Sequence, residues 1–192
     1  MAGRPKIYNE EKALDNAIEV FWKRGYEKAS ADELLKAMGI GKGSFYLAYK
    51  DGKQELFEKS IIRFFNLYIN GFLQGLKSTD NPIEAIKNFF YLMADPESLI
   101  GKYGCYFGNA ISQAEDINLK KLAGQQQLII SKAFTDELRR AKNSGYLKSE
   151  ISPELLGSNL LNFWNGLNIT RNVVKDPEKL KQLIDMNFEL LE

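Results

Sequence analysis

Residues 30–53 read SADELLKAMGIGKGSFYLAYKDGK, a short capped helix, a glycine-bracketed turn and a second short helix with an aromatic pair. Ser30 followed three residues later by Glu33 is a capping box, in which hydroxyl and carboxylate reciprocally satisfy orphan N–H groups at a helix start. The first helix therefore begins at Ala31, with Leu34, Leu35 and Met38 as its apolar face. Gly39 takes the left-handed conformation that ends a helix. In the second helix Phe45, Ala48 and Tyr49 recur at i, i+3 and i+4 and face inward with Ile40, which leaves Lys42, Ser44, Tyr46 and Lys50 facing out. Two helices joined by a short glycine turn, the second with outward donors, form a helix-turn-helix whose second helix fits a DNA major groove. Lysine, serine and tyrosine suit phosphate oxygens and base edges, and Gly43 lets the backbone come close to the duplex. Taken alone, the segment also admits a plainer reading, in which GKGS is a simple helix start and Tyr46 and Tyr49 are both core.

Upstream, Asn9 caps a helix with Glu10 and Glu11 in its first turn and Lys23 and Arg24 in its last, before Gly25, so that charge complements the helix dipole at both ends. Leu14, Ala17, Ile18 and Phe21 form its buried stripe. Three short helices over about residues 9–49 make a unit with a small core. It leans on the next segment, a long helix from Asp51 or Gly52 to Lys77 whose apolar surface (Phe57, Ile61, Phe64, Leu73 and Leu76 among others) is too wide for one contact. The first six residues, Met1-Ala2-Gly3-Arg4-Pro5-Lys6, have no apolar run and do not read as a signal peptide. Beside a helix-turn-helix such a basic arm can lie in a minor groove, through Arg4.

Composition bounds the rest. The 192 residues, 44% hydrophobic, are enough to bury a real core, and the formal net charge of +1 excludes a bulk polyanion binder. Residues 1–60 hold eleven Lys or Arg against ten Asp or Glu, so any contact with nucleic acid comes from a local patch. No apolar run reaches the ~18 residues of a membrane span, and a cytoplasmic location is expected. One cysteine, Cys105, rules out an internal disulfide, and no histidine with one cysteine argues against a structural zinc site. Without histidine there is no Ser-His-Asp or Cys-His arrangement, and no strand-plus-glycine-loop phosphate motif occurs, so an enzyme is not expected and no catalytic residue, metal or cofactor is assigned.

Further along, Asn81-Pro82 starts a helix carrying Ile86, Phe89, Phe90 and Met93. Asp95-Pro96 with Gly101, Gly104 and Gly108 marks an irregular stretch. A long polar helix then spans 118–143 and closes at Gly145. Ser152-Pro153-Glu154 and Asp176-Pro177-Glu178 start the last two helices. The first of these is apolar on more than one face, and Gly157 and Gly166 would let another backbone approach. Core helix and subunit interface are both open on these residues. For an apolar pocket the aromatic candidates are Tyr68, Phe72, Phe90, Tyr103, Tyr106, Phe107 and Trp164. Asn109, Gln113 and Asn168 are the candidate polar orienting groups. Cys105 reads either as a redox sensor or as inert core.

The segment SADELLKAMGIGKGSFYLAYKDGKQELF resembles the DNA-binding signature of the TetR family of transcriptional regulators. The matching positions are Ser30 at the cap, Gly39 in the turn, Lys42, Gly43 and Ser44 opening the recognition helix, Tyr46, Tyr49 in the slot for phenylalanine, and Lys53. Gly41 stands where the family has serine or threonine, and the connection 50–53 is one residue longer. The segment 104–110, with Gly104-Cys105, Asn109 and Ala110, is similar to one in the ligand-binding half of such regulators.

The resemblance implies an all-α fold of about nine helices, with a helix-turn-helix domain over 1–50 and a helical effector-binding and dimerisation domain over 51–192. It implies double-stranded operator DNA as partner, bound as a homodimer through the last two helices, 152–174 and 177–191, and a repressor released by a small, partly apolar ligand. The alternative is a helical ligand-binding or protein-interaction module of the same fold that does not read DNA.

Overall fold

In a computed structural model the protein is described over residues 8–191, and the basic arm with Arg4 and Lys6 lies outside the described residues. Those residues form α-helices α1 (Glu10–Arg24), α2 (Ala31–Met38), α3 (Lys42–Ala48), α4 (Lys53–Phe64), α5 (Asn70–Ser78), α6 (Pro82–Ala94), α7 (Leu99–Tyr103), α8 (Tyr106–Gln113), α9 (Ile117–Asn143), α10 (Pro153–Thr170) and α11 (Pro177–Phe188). A π-helical turn, Phe65–Ile69, joins α4 to α5 without a break. With that rod taken as one helix and the single turn α7 set aside, the described residues hold the expected nine helices and no strand.

The helix boundaries fall where side chains satisfy helix ends. Asn9, Asn81, Ser152 and Asp176 each accept a backbone N–H in the first turn of α1, α6, α10 and α11, and proline opens the last three of these. Asp116 caps α9 one residue earlier than the polar pattern begins. The stretch 95–108 is more regular than its glycines suggest. Ser98 Oγ accepts the Gly101 N–H at 2.7 Å and starts α7, and Gly108 lies inside α8.

α1 packs on α2 and α4, α9 packs on α8 and α10, and α11 lies on α6, all around one continuous apolar core. The buried face of α1 is Ala13, Ala17, Ile18, Phe21 and Trp22, while Leu14 is half-buried, so the stripe is turned slightly from the expected one. Arg63 on α4 grips Asp15 on α1 through two N–H···O bonds, at 2.8 and 3.1 Å. The rod α4–α5 thus begins against the N-terminal unit and ends in the larger body.

The long helix expected over 51–77 starts at Lys53 and is not α-helical throughout. The π turn inserts one residue into its face. Phe57, Ile61 and Phe64 are buried ahead of it, and Ile69, Leu73 and Leu76 after it, one position later than an unbroken repeat would give.

At Gly157 the expected backbone approach is made within the chain. A Cβ there would lie 2.0 Å from Thr135 Oγ1, so the backbone approaching it is that of α9 in the same chain, whereas at Gly166 nothing lies within 4 Å.

Candidate nucleic-acid interface and ligand cavity

α2 starts as its capping residue requires, with the Glu33 N–H donating to Ser30 Oγ at 3.2 Å. The reciprocal half of the box is replaced, because the Glu33 carboxylate turns to Arg24 at 3.0 Å. Gly39 ends the helix in the left-handed region, φ +67°, and Asn16 on α1 donates to the Ala37 carbonyl at 2.8 Å, fixing the end of α2. Gly41 is the N-cap of α3 and offers no side-chain cap, which leaves the first N–H groups of that helix without an internal partner.

Phe45 and Tyr49 anchor α3, with ring centroids 5.3 Å apart and both side chains buried. Lys42, Gly43, Ser44, Tyr46 and Lys50 are exposed, as the spacing requires of an outward face. Neither Lys42 nor Lys50 has a salt bridge among the described residues. Leu47, which has no donor or acceptor and is not among the expected outward residues, is exposed on the same face.

After α3, Gly52 N–H donates to the Tyr49 carbonyl at 3.1 Å and the Asp51 N–H to the Glu55 carboxylate at 3.1 Å, closing the longer connection as a tight turn. Gly52 has φ +64° and ψ −133°, a conformation costly for any other residue. Lys53 is not among the outward donors. Its ammonium donates to the Glu27 carbonyl at 3.2 Å and sits 4.6 Å from the Tyr26 ring centroid. Burial pushes its pKa down, opposed by the Glu27 carboxylate. It ties the start of α4 to the α1–α2 connection.

A cavity lies in the larger body. Phe64, Phe89, Phe134 and Trp164 form much of its apolar wall, Ile69 and Ile130 add to it, and its free volume is about 30 Å³. The π turn brings Phe64 and Ile69, five residues apart, to this one wall. The polar groups at the rim are Gln127, Ser131 and Cys105. Gln127 is 6% exposed and makes a two-way amide pair with Asn165, at 2.8 and 3.3 Å. Cys105 is buried and caps α8, its Sγ accepting the Gly108 N–H at 3.3 Å.

Of the ten ligand candidates, Tyr106, Phe107 and Trp164 border this cavity. The other aromatics belong to packing around it. Tyr68 and Tyr103 flank Trp22, Phe72 stacks on Phe89 from behind at 4.4 Å, and Phe90 is fully buried between Phe163 and Phe188. The polar three serve backbone and loop contacts instead. Asn109 donates to the Tyr103 carbonyl at 2.8 Å, Asn168 accepts the Cys105 N–H at 2.8 Å, and Gln113 lies against Gly25.

The segment 104–106 joins the cavity to the N-terminal unit. Trp22 Nε1 on α1 donates to the buried Gly104 carbonyl at 2.8 Å, and the Tyr106 hydroxyl meets Ser60 Oγ on α4 at 2.7 Å. Burial pushes the Tyr106 phenol far above its usual pKa, so it stays neutral.

A helix held clear of its own core, aimed outward by Phe45 and Tyr49 and carrying two lysines with no salt bridge among the described residues, is built to approach a polyanion. The molecule is a DNA-binding transcriptional regulator of the helix-turn-helix class.

Residues 13–59 match the family described as "Bacterial regulatory proteins, tetR family". The chain is 29% identical over 197 residues to the uncharacterized HTH-type transcriptional regulator YezE of Bacillus subtilis, covering 99% of this chain and 100% of that one. It is 24% identical to the HTH-type transcriptional repressor DhaR of a Mycobacterium species, over 93% of this chain and 89% of DhaR. Its fold matches that of the TetR family regulator CifR, solved with a 26 bp double-strand operator, with a TM-score of 0.83, 21% identity and coverage of 98% and 100%. Residues 13–59 thus carry the match to the tetR family, and the whole chain has the fold of a TetR family regulator.

Proposed function

We propose that the protein acts as a homodimeric repressor, with α3 of each protomer in the major groove of a palindromic operator and a small, partly apolar ligand in the cavity releasing it. The observation that carries the reading is the outward set Lys42, Ser44, Tyr46 and Lys50 on a helix whose anchor is buried. CifR, of the same fold, is bound to operator DNA, and DhaR is a repressor.

Homodimerisation through α10 and α11 is supported by what those helices leave uncovered. Leu155 and Ile169 on α10 and Val173 just beyond it, with Met186 on α11 and Leu190 just beyond that helix, are all exposed. Gly166 and Ile169 stand three apart on one exposed face of α10, where the absence of a side chain at Gly166 lets a second helix pack closely. Two copies of that face bury it and fix the separation of the recognition helices.

The cavity's size supports a release that works by displacement of its walls. Ligand pockets run to about 300–1,000 Å³, so a ligand entering a space of about 30 Å³ must drive its walls apart. The rim includes Cys105 and Tyr106, next to the carbonyl that Trp22 holds and carrying the hydroxyl that Ser60 meets. Displacing segment 104–106 therefore pulls on α1 and α4 together, and a ligand that prefers the displaced state shifts the population away from the DNA-reading one.

The experiment is selection of bound genomic fragments, followed by binding of the Lys42→Ala/Tyr46→Ala double variant to the fragments recovered. The expected result is a marked loss of affinity. Unchanged operator affinity overturns the proposal.

A further inference from the structure

We propose that Leu47 reads thymine methyl groups in the operator and so sets part of its sequence preference, an inference that rests on α3 being the DNA-reading helix. Leu47 is 78% exposed. A single exposed leucine elsewhere on a surface would call for no account. Its place on α3 is what distinguishes it. An α-helix turns by about 100° per residue, so Leu47 lies about 200° on from Phe45, the buried side chain of this helix. It therefore stands on the midline of the outward face, with Ser44 and Tyr46 on its two flanks. One turn earlier near that midline is Gly43, where an added Cβ would meet nothing within 4 Å. With no side chain at Gly43 the helix can lie close to the duplex, and Leu47 is the side chain nearest the midline of the face turned to the groove.

Its neighbours can bond to phosphates and base edges, but a leucine has neither donor nor acceptor. The apolar group that a major groove displays is the C5 methyl of thymine. Against any other base edge Leu47 would strip water from a donor or acceptor without replacing its hydrogen bond. The same side chain thus favours thymine and opposes the alternatives.

The test uses the full chain. Operators are first selected from random duplexes, and each thymine of the selected site is then replaced singly by deoxyuridine, which lacks only the methyl. At one or two thymines per half-site the replacement should weaken wild-type binding about fourfold. At those same positions Leu47→Ala should bind the thymine and deoxyuridine duplexes equally, while Lys42→Ala should lose affinity for both and keep the methyl effect. Selection with Leu47→Gln should exchange thymine for adenine there. Wild-type protein that binds its operator with no methyl effect, or a methyl effect undiminished in Leu47→Ala, overturns the assignment and leaves DNA reading intact. Failure of the wild type to select any duplex overturns both.

Discussion

Replacing Trp22 with phenylalanine removes one N–H from the contact between the DNA-reading unit and the cavity wall. Trp22 is buried, and its Nε1 donates to the buried Gly104 carbonyl at 2.8 Å. Leaving that carbonyl unmet costs about 1–3 kcal/mol. The smaller ring also gives up part of an edge-to-face contact with Phe64, at 4.8 Å between centroids, which accounts for about 0.5–1.5 kcal/mol more. At about 2–4 °C per kcal/mol for a chain of this size, the melting temperature should fall by several degrees, on the order of 3–18 °C. Tyr106→Phe is the companion variant. It costs less, about 0.5–1.5 kcal/mol, because Ser60 Oγ keeps its bond to the Phe57 carbonyl at 2.6 Å. Both side chains grip segment 104–106, so the double variant should depart from additivity by about 0.5 kcal/mol or more. Thermal unfolding of the four proteins reads both quantities. An unchanged melting temperature in Trp22→Phe refutes the bond, and additive losses refute the shared grip.

Gly157→Ala should destabilise the fold by about 1–3 kcal/mol, since its Cβ would press on Thr135, and adding Thr135→Ala should restore part of the loss in denaturant unfolding. Ile169→Glu should leave the fold intact and convert dimer to monomer in sedimentation, with operator binding lost alongside. Asp185 is held below the usual carboxylate range by Lys87, at 2.7 Å, and by the Tyr91 hydroxyl. A depressed carboxylate contributes stability that is full above its unfolded pKa, about 3.9, and is lost as pH falls through its lower folded value. Asp185→Asn should therefore cost under about 1 kcal/mol at pH 7, the pair being partly exposed, and should flatten the acid limb of a stability-versus-pH curve.

The helix-turn-helix was legible because local chemistry fixes it. Ser30, Gly39 and Gly41 punctuate the chain within twelve residues, and Phe45 with Tyr49 sets the inward face regardless of what lies further away. The caps at Asn81, Ser152 and Asp176 were legible for the same reason. The cavity was not, because its walls come from helices far apart in the chain. Aromatic type was a poor guide to direction. Phe89 lines the cavity and Phe90, one residue and about 100° onward, is sealed away from it. The polar candidates lie outside this cavity for a different reason, as Asn109 and Asn168 bond to the backbone of the 103–105 turn. The π turn did leave a trace. Apolar residues continue as Ile69, Leu73 and Leu76, where an unbroken face would have fallen on Tyr68, Gly71 and Gly75. Lys53 matched its motif position by type, yet Tyr26 and Glu27, which draw it inward, lie in a different connection.

The most direct measurement is operator affinity as a function of salt for the wild type and for Lys42→Ala with Lys50→Ala. Each phosphate that the protein no longer neutralises lowers the slope of log K against log salt by about 0.9, so removing both lysines from each protomer of a dimer should make the slope shallower by about 3–4. A slope and affinity equal to those of the wild type would contradict the assignment of α3 as the DNA-reading helix.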